Sequence, residues 1–201
     1  GCLALYAVLI KKGFINKSEI CRFCHFDGIL GGHPERKKVP GVEASTGSLG
    51  HGLGIGVGMA IASKINNLKN KVYVILGDGE INEGSVWESA LSANKHKLNN
   101  LIVIIDHNQM QSYGPNKDVL DLAPLKEKWT SFGFNVQKFD AHNLSEIKKK
   151  IKKISNSKPN LFISNSIKGK GLKIAENNPL WHHKNNLDKT EIQKLKGLIK
   201  I

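Results

Sequence analysis

The amino-acid sequence predicts an α/β fold, a doubly wound and mostly parallel sheet with helices on both faces. Three observations carry this. Four apolar, β-branched runs, at 72–76, 101–106, 134–139 and 161–164, have the length and composition of strands buried on both faces. Stretches with helical periodicity, at 83–97, 124–132 and 143–155, lie between them. Strand–helix–strand alternation of this kind builds a parallel sheet with crossover helices. The 201 residues show no repeat and no linker. The chain therefore reads as one domain over 1–201, with 168–201 as an irregular tail and terminal helix.

Two or three helices precede the first strand. Apolar residues over 3–12 fall at helical spacing, and 17–26 reads as a short helix capped by Asn16 or Ser18. A long helix from about 49 to 66 carries Gly50, Gly52, Gly54, Gly56 and Gly58 at alternate positions. Each interior glycine costs about 1 kcal/mol relative to alanine. Something must therefore approach the backbone closely: a ligand, a neighbouring helix or another protomer. A dinucleotide-binding reading fails because no strand precedes these glycines. Val86, Trp87 and Leu91 beside acidic Glu88 suggest that the 83–97 helix shares such a subunit contact. Over 143–155, Leu144, Ile147, Ile151 and Ile154 form one helical stripe. The lysines at 148–150, 152 and 153 form its wet face, leaving the stripe to be buried. After the fourth strand the chain is polar and irregular over 168–186, and it ends in a helix over 189–200.

The formal net charge of +13 raises the question of nucleic acid. The lysines are dispersed, and no aromatic residues interleave with the densest run, as a single-strand-binding surface requires. The charge suits anionic small substrates such as sugar phosphates instead. No apolar run reaches the roughly 18–20 residues that cross a bilayer. Residues 3–10 lack the basic flank and cleavage site of a signal peptide. The expectation is a cytoplasmic protein that binds neither nucleic acid nor membrane. Cys2, Cys21 and Cys24 supply no disulfide framework. Cys21-Arg22-Phe23-Cys24-His25 matches a haem-attachment spacing, but no second haem ligand and no second zinc-ligand pair follow.

The chemistry concentrates at two strand ends. The first strand runs into Gly77-Asp78-Gly79-Glu80, and the next into Asp106-His107-Asn108-Gln109. A right-handed crossover places both ends on the carboxyl edge of the sheet, where open α/β sheets bind ligands. Asp78 and Asn108 then converge although thirty positions separate them. One anionic and one neutral oxygen ligand suit a hard divalent cation that also holds phosphate oxygens. Glycines at 77 and 79 admit a diphosphate close to the backbone. Either element alone is an ordinary turn; the pair at consecutive strand ends is specific.

Gly77-Asp78-Gly79 followed by Asn108 resembles the thiamine-diphosphate motif, and further words narrow the resemblance to the transketolase family. They are Gly32-His33-Pro34-Glu35, Pro40-Gly41-Val42-Glu43, Ser45-Thr46-Gly47-Ser48-Leu49-Gly50, Glu83-Gly84-Ser85-Val86-Trp87-Glu88, Lys168-Gly169-Lys170-Gly171 and Trp181-His182. The similarity runs from Gly1 to about His183. It implies the thiamine-diphosphate-binding fold, with Asp78, Asn108 and the Met110 carbonyl as ligands of Mg²⁺, or of Ca²⁺ or Mn²⁺. It also implies that Gly47, Ser48, Leu49, Gly77, Gly79, Glu83, Asn108 and His182 line the cofactor. His33 and His182 match histidines beside the reactive ring and the sugar, suited to proton transfer near neutral pH. Glu83 and Glu88 match acidic residues near the cofactor and the subunit interface. Read without the motif, both histidines are surface residues of polar loops.

The resemblance implies transfer of a two-carbon ketol unit between sugar phosphates. It further implies a partner subunit carrying the pyrimidine-binding and carboxyl-terminal domains, in a self-associated or heterotetrameric assembly. The family's Ser-x-Gly-His precedes Ala-Leu-Tyr, so Ala4-Leu5-Tyr6 places its histidine just before Gly1, and the front reads as truncated. Two rivals stand beside this reading. One is another thiamine-diphosphate enzyme, a deoxyxylulose-phosphate synthase or a dehydrogenase component. The other is a non-catalytic remnant or regulatory subunit.

Overall fold

The structure is a computed structural model describing residues 1–184 and 187–198. Four parallel strands, β1 (Val72–Gly77), β2 (Leu101–His107), β3 (Asn135–Asp140) and β4 (Asn160–Asn165), form one sheet in the order β1-β2-β4-β3. Their apolar residues point to both faces, as a sheet covered by crossover helices requires. On one face Val74, Leu76, Val103, Ile105, Leu161 and Ile163 pack beneath α2 (His51–Ile65), α3 (Gly84–Lys95) and α5 (Leu125–Ser131). On the other face Ile102, Phe139 and Phe162 meet Ile147 and Ile154 from the region of α6 (Leu144–Ile151). That cover is partial, and Tyr73 and Ile75 of β1 remain 55% and 71% exposed.

A separate apolar cluster holds the front of the chain. Tyr6 and Leu9 of α1 (Cys2–Lys11) pack with Ile15, Leu30, Val39 and Val42. The Tyr6 hydroxyl donates to the Gly31 carbonyl at 2.8 Å, tethering the segment that leads to His33.

Several elements differ from the sequence reading. Only Lys17–Arg22 of the expected 17–26 helix forms, as a 3-10 turn capped by Asn16, whose side chain accepts from the Ser18 amide at 3.0 Å. The chain then doubles back: Cys24 has φ +57° and donates its amide to the Leu30 carbonyl at 2.8 Å. Helix α6 stops at Ile151, and the expected burial of its apolar stripe is incomplete. Leu144 is 71% exposed, and the contacts to the sheet come from Ile147 and Ile154. The periodicity also passed over a short helix α4 (Asn116–Val119) and 3-10 turns at Glu80–Asn82 and Pro179–Trp181. The last helix, α7 (Lys189–Leu198), fills most of the expected 189–200 span, and positions 199–201 lie outside the described residues, as do 185 and 186.

The alternate glycines resolve into two groups. A Cβ on Gly56 would lie 2.3 Å from Val74 Cγ2, so Gly56 lets α2 sit down on β1 within the chain. A Cβ on Gly58 would meet nothing within 4 Å. Val86 is fully buried and Trp87 stacks against Trp129 and Phe132. Of the residues expected at a subunit contact, Gly56 and Val86 thus pack within the chain and Trp87 does so in part, whereas Leu91 is 60% exposed. Among the described residues no helix is long and apolar enough to cross a membrane.

Candidate functional site

Strands β1 and β2 run in register, Gly77 beside Asp106, so the Gly77-Asp78-Gly79 turn and the 107–111 loop leave the sheet side by side. Asp78 is only 3% exposed. Such a carboxylate is stable only when its oxygens are engaged. Oδ1 lies 3.0 Å from His107 Nδ1, and Oδ2 accepts the Gln109 amide. Gln109 reaches it by adopting φ +62°, a conformation that non-glycine residues take where their surroundings impose it. Asn108 is braced as well. Its Oδ1 accepts the Met110 amide at 3.0 Å, and its Nδ2 donates to Asp106 Oδ2 at 3.2 Å. Asp106 in turn accepts from the Ser166 hydroxyl, which brings the segment after β4 into the same corner. A Cβ on Gly79 would lie 3.3 Å from Gln111 Oε1, so the turn and the loop are in close contact.

The second part of the site comes from loops. Gly47 has φ +141°, and a Cβ there would stand 2.7 Å from the His33 ring. Only glycine lets that imidazole rest on the 46–48 backbone. The Thr46 amide donates to the Pro34 carbonyl at 3.2 Å and the Arg36 amide to Ser45 Oγ at 2.9 Å, pairing the two loops. His33, Gly47, Ser48 and Leu49 are exposed. His182 approaches from the tail, its Nε2 3.2 Å from Ser112 Oγ beyond β2. Its pKa is lowered first by burial, then by the charges of Lys168 and His183, so the neutral ring is favoured. Glu83 occupies the N-cap position of α3 without a side-chain capping bond, is exposed, and has its Cβ against the Gly50 backbone. Glu88 is exposed on α3.

A cavity of about 290 Å³ opens behind Asp78, lined also by Asn82, His107, Asn116 and Asp121. Sequence reasoning missed His107, Gln109, Asp106, Ser166 and Glu80, whose roles come from contacts across the sheet edge. The one available signal was their position, directly beside Asp78 and Asn108 or after β4.

The donors present fit a hard cation. Asp78 and Asn108, at the ends of the paired strands β1 and β2, carry one anionic and one neutral side-chain oxygen, donor chemistry of Mg²⁺ or Ca²⁺ rather than zinc. Among the described residues no three His, Cys, Asp or Glu side chains converge. A Cβ on Gly77 would meet nothing within 4 Å, so the turn leaves open space beside Asp78.

A family model described as the transketolase thiamine-diphosphate-binding domain matches residues 1–199. The chain belongs to that family. It is 43% identical over 185 residues to one subunit of an apulose-4-phosphate transketolase from Actinobacillus succinogenes, covering 92% of this chain and 67% of the relative. It is 37% identical over 185 residues to one subunit of a 6-deoxy-6-sulfo-D-fructose transketolase from a Clostridium species, covering 91% and 67%. A crystallised transketolase variant from Pichia stipitis superposes with a TM-score of 0.88 at 28% identity, covering 98% of this chain and 31% of its own. The chain thus spans about two thirds of the length of these subunit relatives, and under a third of the Pichia stipitis transketolase chain. Membership in the transketolase family identifies the fold as the thiamine-diphosphate-binding domain.

Proposed function

We propose that this chain, over 1–201, is the diphosphate-binding subunit of a thiamine-diphosphate-dependent transketolase that moves a two-carbon ketol unit between sugar phosphates. The observation that carries the reading is the buried Asp78, anchored across two adjacent strand ends beside Asn108, with the Gly47–His33 loop pair as the second wall. Asp78, Asn108 and the Met110 carbonyl would hold Mg²⁺, with Ca²⁺ or Mn²⁺ as substitutes. Gly77, Gly79, Gly47, Ser48 and Leu49 would admit the diphosphate, with Glu83 and His182 at the edge of the cofactor. The cofactor, when bound, supplies the carbon nucleophile and electron sink. The chain's own residues bind, orient and exchange protons. His33 and neutral His182 are placed to take protons from substrate hydroxyls and to return them. The lysine excess draws anionic sugar phosphates toward the site.

A second polypeptide would contribute the pyrimidine-binding and carboxyl-terminal domains. Support comes from relatives that are themselves named as transketolase subunits, and from the third of the Pichia stipitis chain that this chain matches. The exposed face of α2, with Ile55 and Met59 each 39% exposed beside open Gly58, suits self-association or a heterotetramer. The cytoplasm is the compartment this reading expects. The test is ketol transfer from xylulose 5-phosphate or apulose 4-phosphate to an aldose phosphate, with cofactor and Mg²⁺. Turnover is expected only once the complementary subunit is present. Turnover by the chain alone contradicts the divided assembly, and none with the subunit present favours a non-catalytic role.

A further inference from the structure

Glu80 begins the 3-10 turn after Gly79, and its two carboxylate oxygens face different parts of the chain. Oε2 accepts the amide of Gly77, the last residue of β1, at 3.1 Å. Oε1 accepts the amide of Gly50, the residue capping α2, also at 3.1 Å. A Cβ on Gly52 would lie 3.9 Å from Oε1, so α2 begins directly over this carboxylate. The negative charge sits at the positive end of α2, where a carboxylate is stabilised. Gly50 closes the 47–49 strap and Gly77 opens the turn that carries Asp78. We propose that Glu80 is a positioning residue, a single carboxylate that holds the strap and the turn at the separation a diphosphate needs between them. The proposal rests on the functional reading above only for what the cradle holds; the clamp itself is a property of the free chain.

The chemistry is specific. Both partners are backbone donors, so the clamp needs two acceptor oxygens on one side chain. Glu80→Gln keeps the size and leaves one acceptor. Glu80→Ala leaves none, and Glu80→Asp is one methylene too short to span the two amides.

Residue-resolved amide exchange on the free chain tests the clamp directly. Glu80→Ala should accelerate exchange at both Gly50 and Gly77, and Glu80→Gln at one of them, while the Val103 amide in β2 keeps its parent rate. Unchanged rates at Gly50 and Gly77, or acceleration of Val103 in equal proportion, would overturn the proposal. Thiamine diphosphate and Mg²⁺ are then titrated with the complementary subunit present. Glu80→Ala should weaken cofactor affinity by about 10- to 100-fold, in the range for residues that orient a binding group. Glu80→Gln should lose less. The loss should fall on the cofactor concentration giving half-maximal turnover rather than on turnover at saturation. Parent affinity in Glu80→Ala would overturn the positioning role. A parent that binds no cofactor would instead sink the functional reading, leaving the exchange rates to decide the clamp.

Discussion

The two walls of the candidate site are built in opposite ways. The strand-end corner is buried and closed: Asp78 is 3% exposed, with one oxygen on His107 and the other on the Gln109 amide. The loop rim is open. His33, Ser48 and Leu49 face solvent, with Leu49 56% exposed, and their order comes from backbone pairing and the close approach at Gly47. On the proposed function the corner would hold metal ligands in place before the ion arrives, and the sheet edge supplies that rigidity. On the same proposed function the rim would admit a sugar and meet a partner surface, which its uncovered side chains allow. The difference predicts that damage to the corner abolishes binding, whereas loss of the His33 imidazole on the rim slows turnover and spares binding.

The largest effect is expected at the corner. Asp78→Ala should remove metal-dependent binding of thiamine diphosphate in the assembled enzyme, read by calorimetric titration. Parent affinity in that variant would show that the ion is held elsewhere. His33→Ala should sharpen the contrast by lowering turnover about 10²- to 10⁴-fold, the range for a lost proton-transfer group, with little change in cofactor affinity. A matching loss of affinity would move His33 from the rim's chemistry into the cradle.

The glycines of α2 provide a smaller and purely structural contrast. Gly56→Leu should destabilise the chain by about 1–3 kcal/mol, because the added atoms meet Val74 in a packed contact. Gly58→Ala, with open space around it, should stabilise the free chain by about 1 kcal/mol through helix propensity. Thermal unfolding of both variants checks the pair; equal shifts would contradict the division between a packed and an open side of α2. The smallest effect concerns acid. His182 has its pKa lowered, first by burial, so the folded chain binds fewer protons there than the unfolded chain. Stability therefore rises with pH from the lowered value up to the ordinary imidazole value of 6.5, and the destabilising contribution is complete below that window. His182→Gln should flatten the stability profile in that range, and an unchanged profile would place the ring in water.

The corner was legible in the sequence because it follows from topology. Two apolar runs joined by one helical period bring Asp78 and Asn108 to one edge, and the register of Gly77 with Asp106 completes it. The supports of the corner were not legible. Glu80 reaches a helix start thirty residues away, and Ser166, just after β4, reaches Asp106 on the neighbouring strand β2, contacts that no local pattern encodes. Periodicity also overstated α6 and the 17–26 helix, because it registers which residues are apolar and not whether the fold has a surface to cover them. The alternate glycines signalled close approach correctly, but spacing alone could not distinguish Val74 within the chain from a neighbour outside it.

The most direct measurement is a titration of thiamine diphosphate, with and without Mg²⁺, on the parent chain mixed with its complementary subunit. Saturable binding that disappears on chelation of the metal, and returns when Mg²⁺ is restored, is the expected result. Binding indifferent to the metal, or no binding with the subunit present, would contradict the assignment of the strand-end corner as a metal–diphosphate cradle.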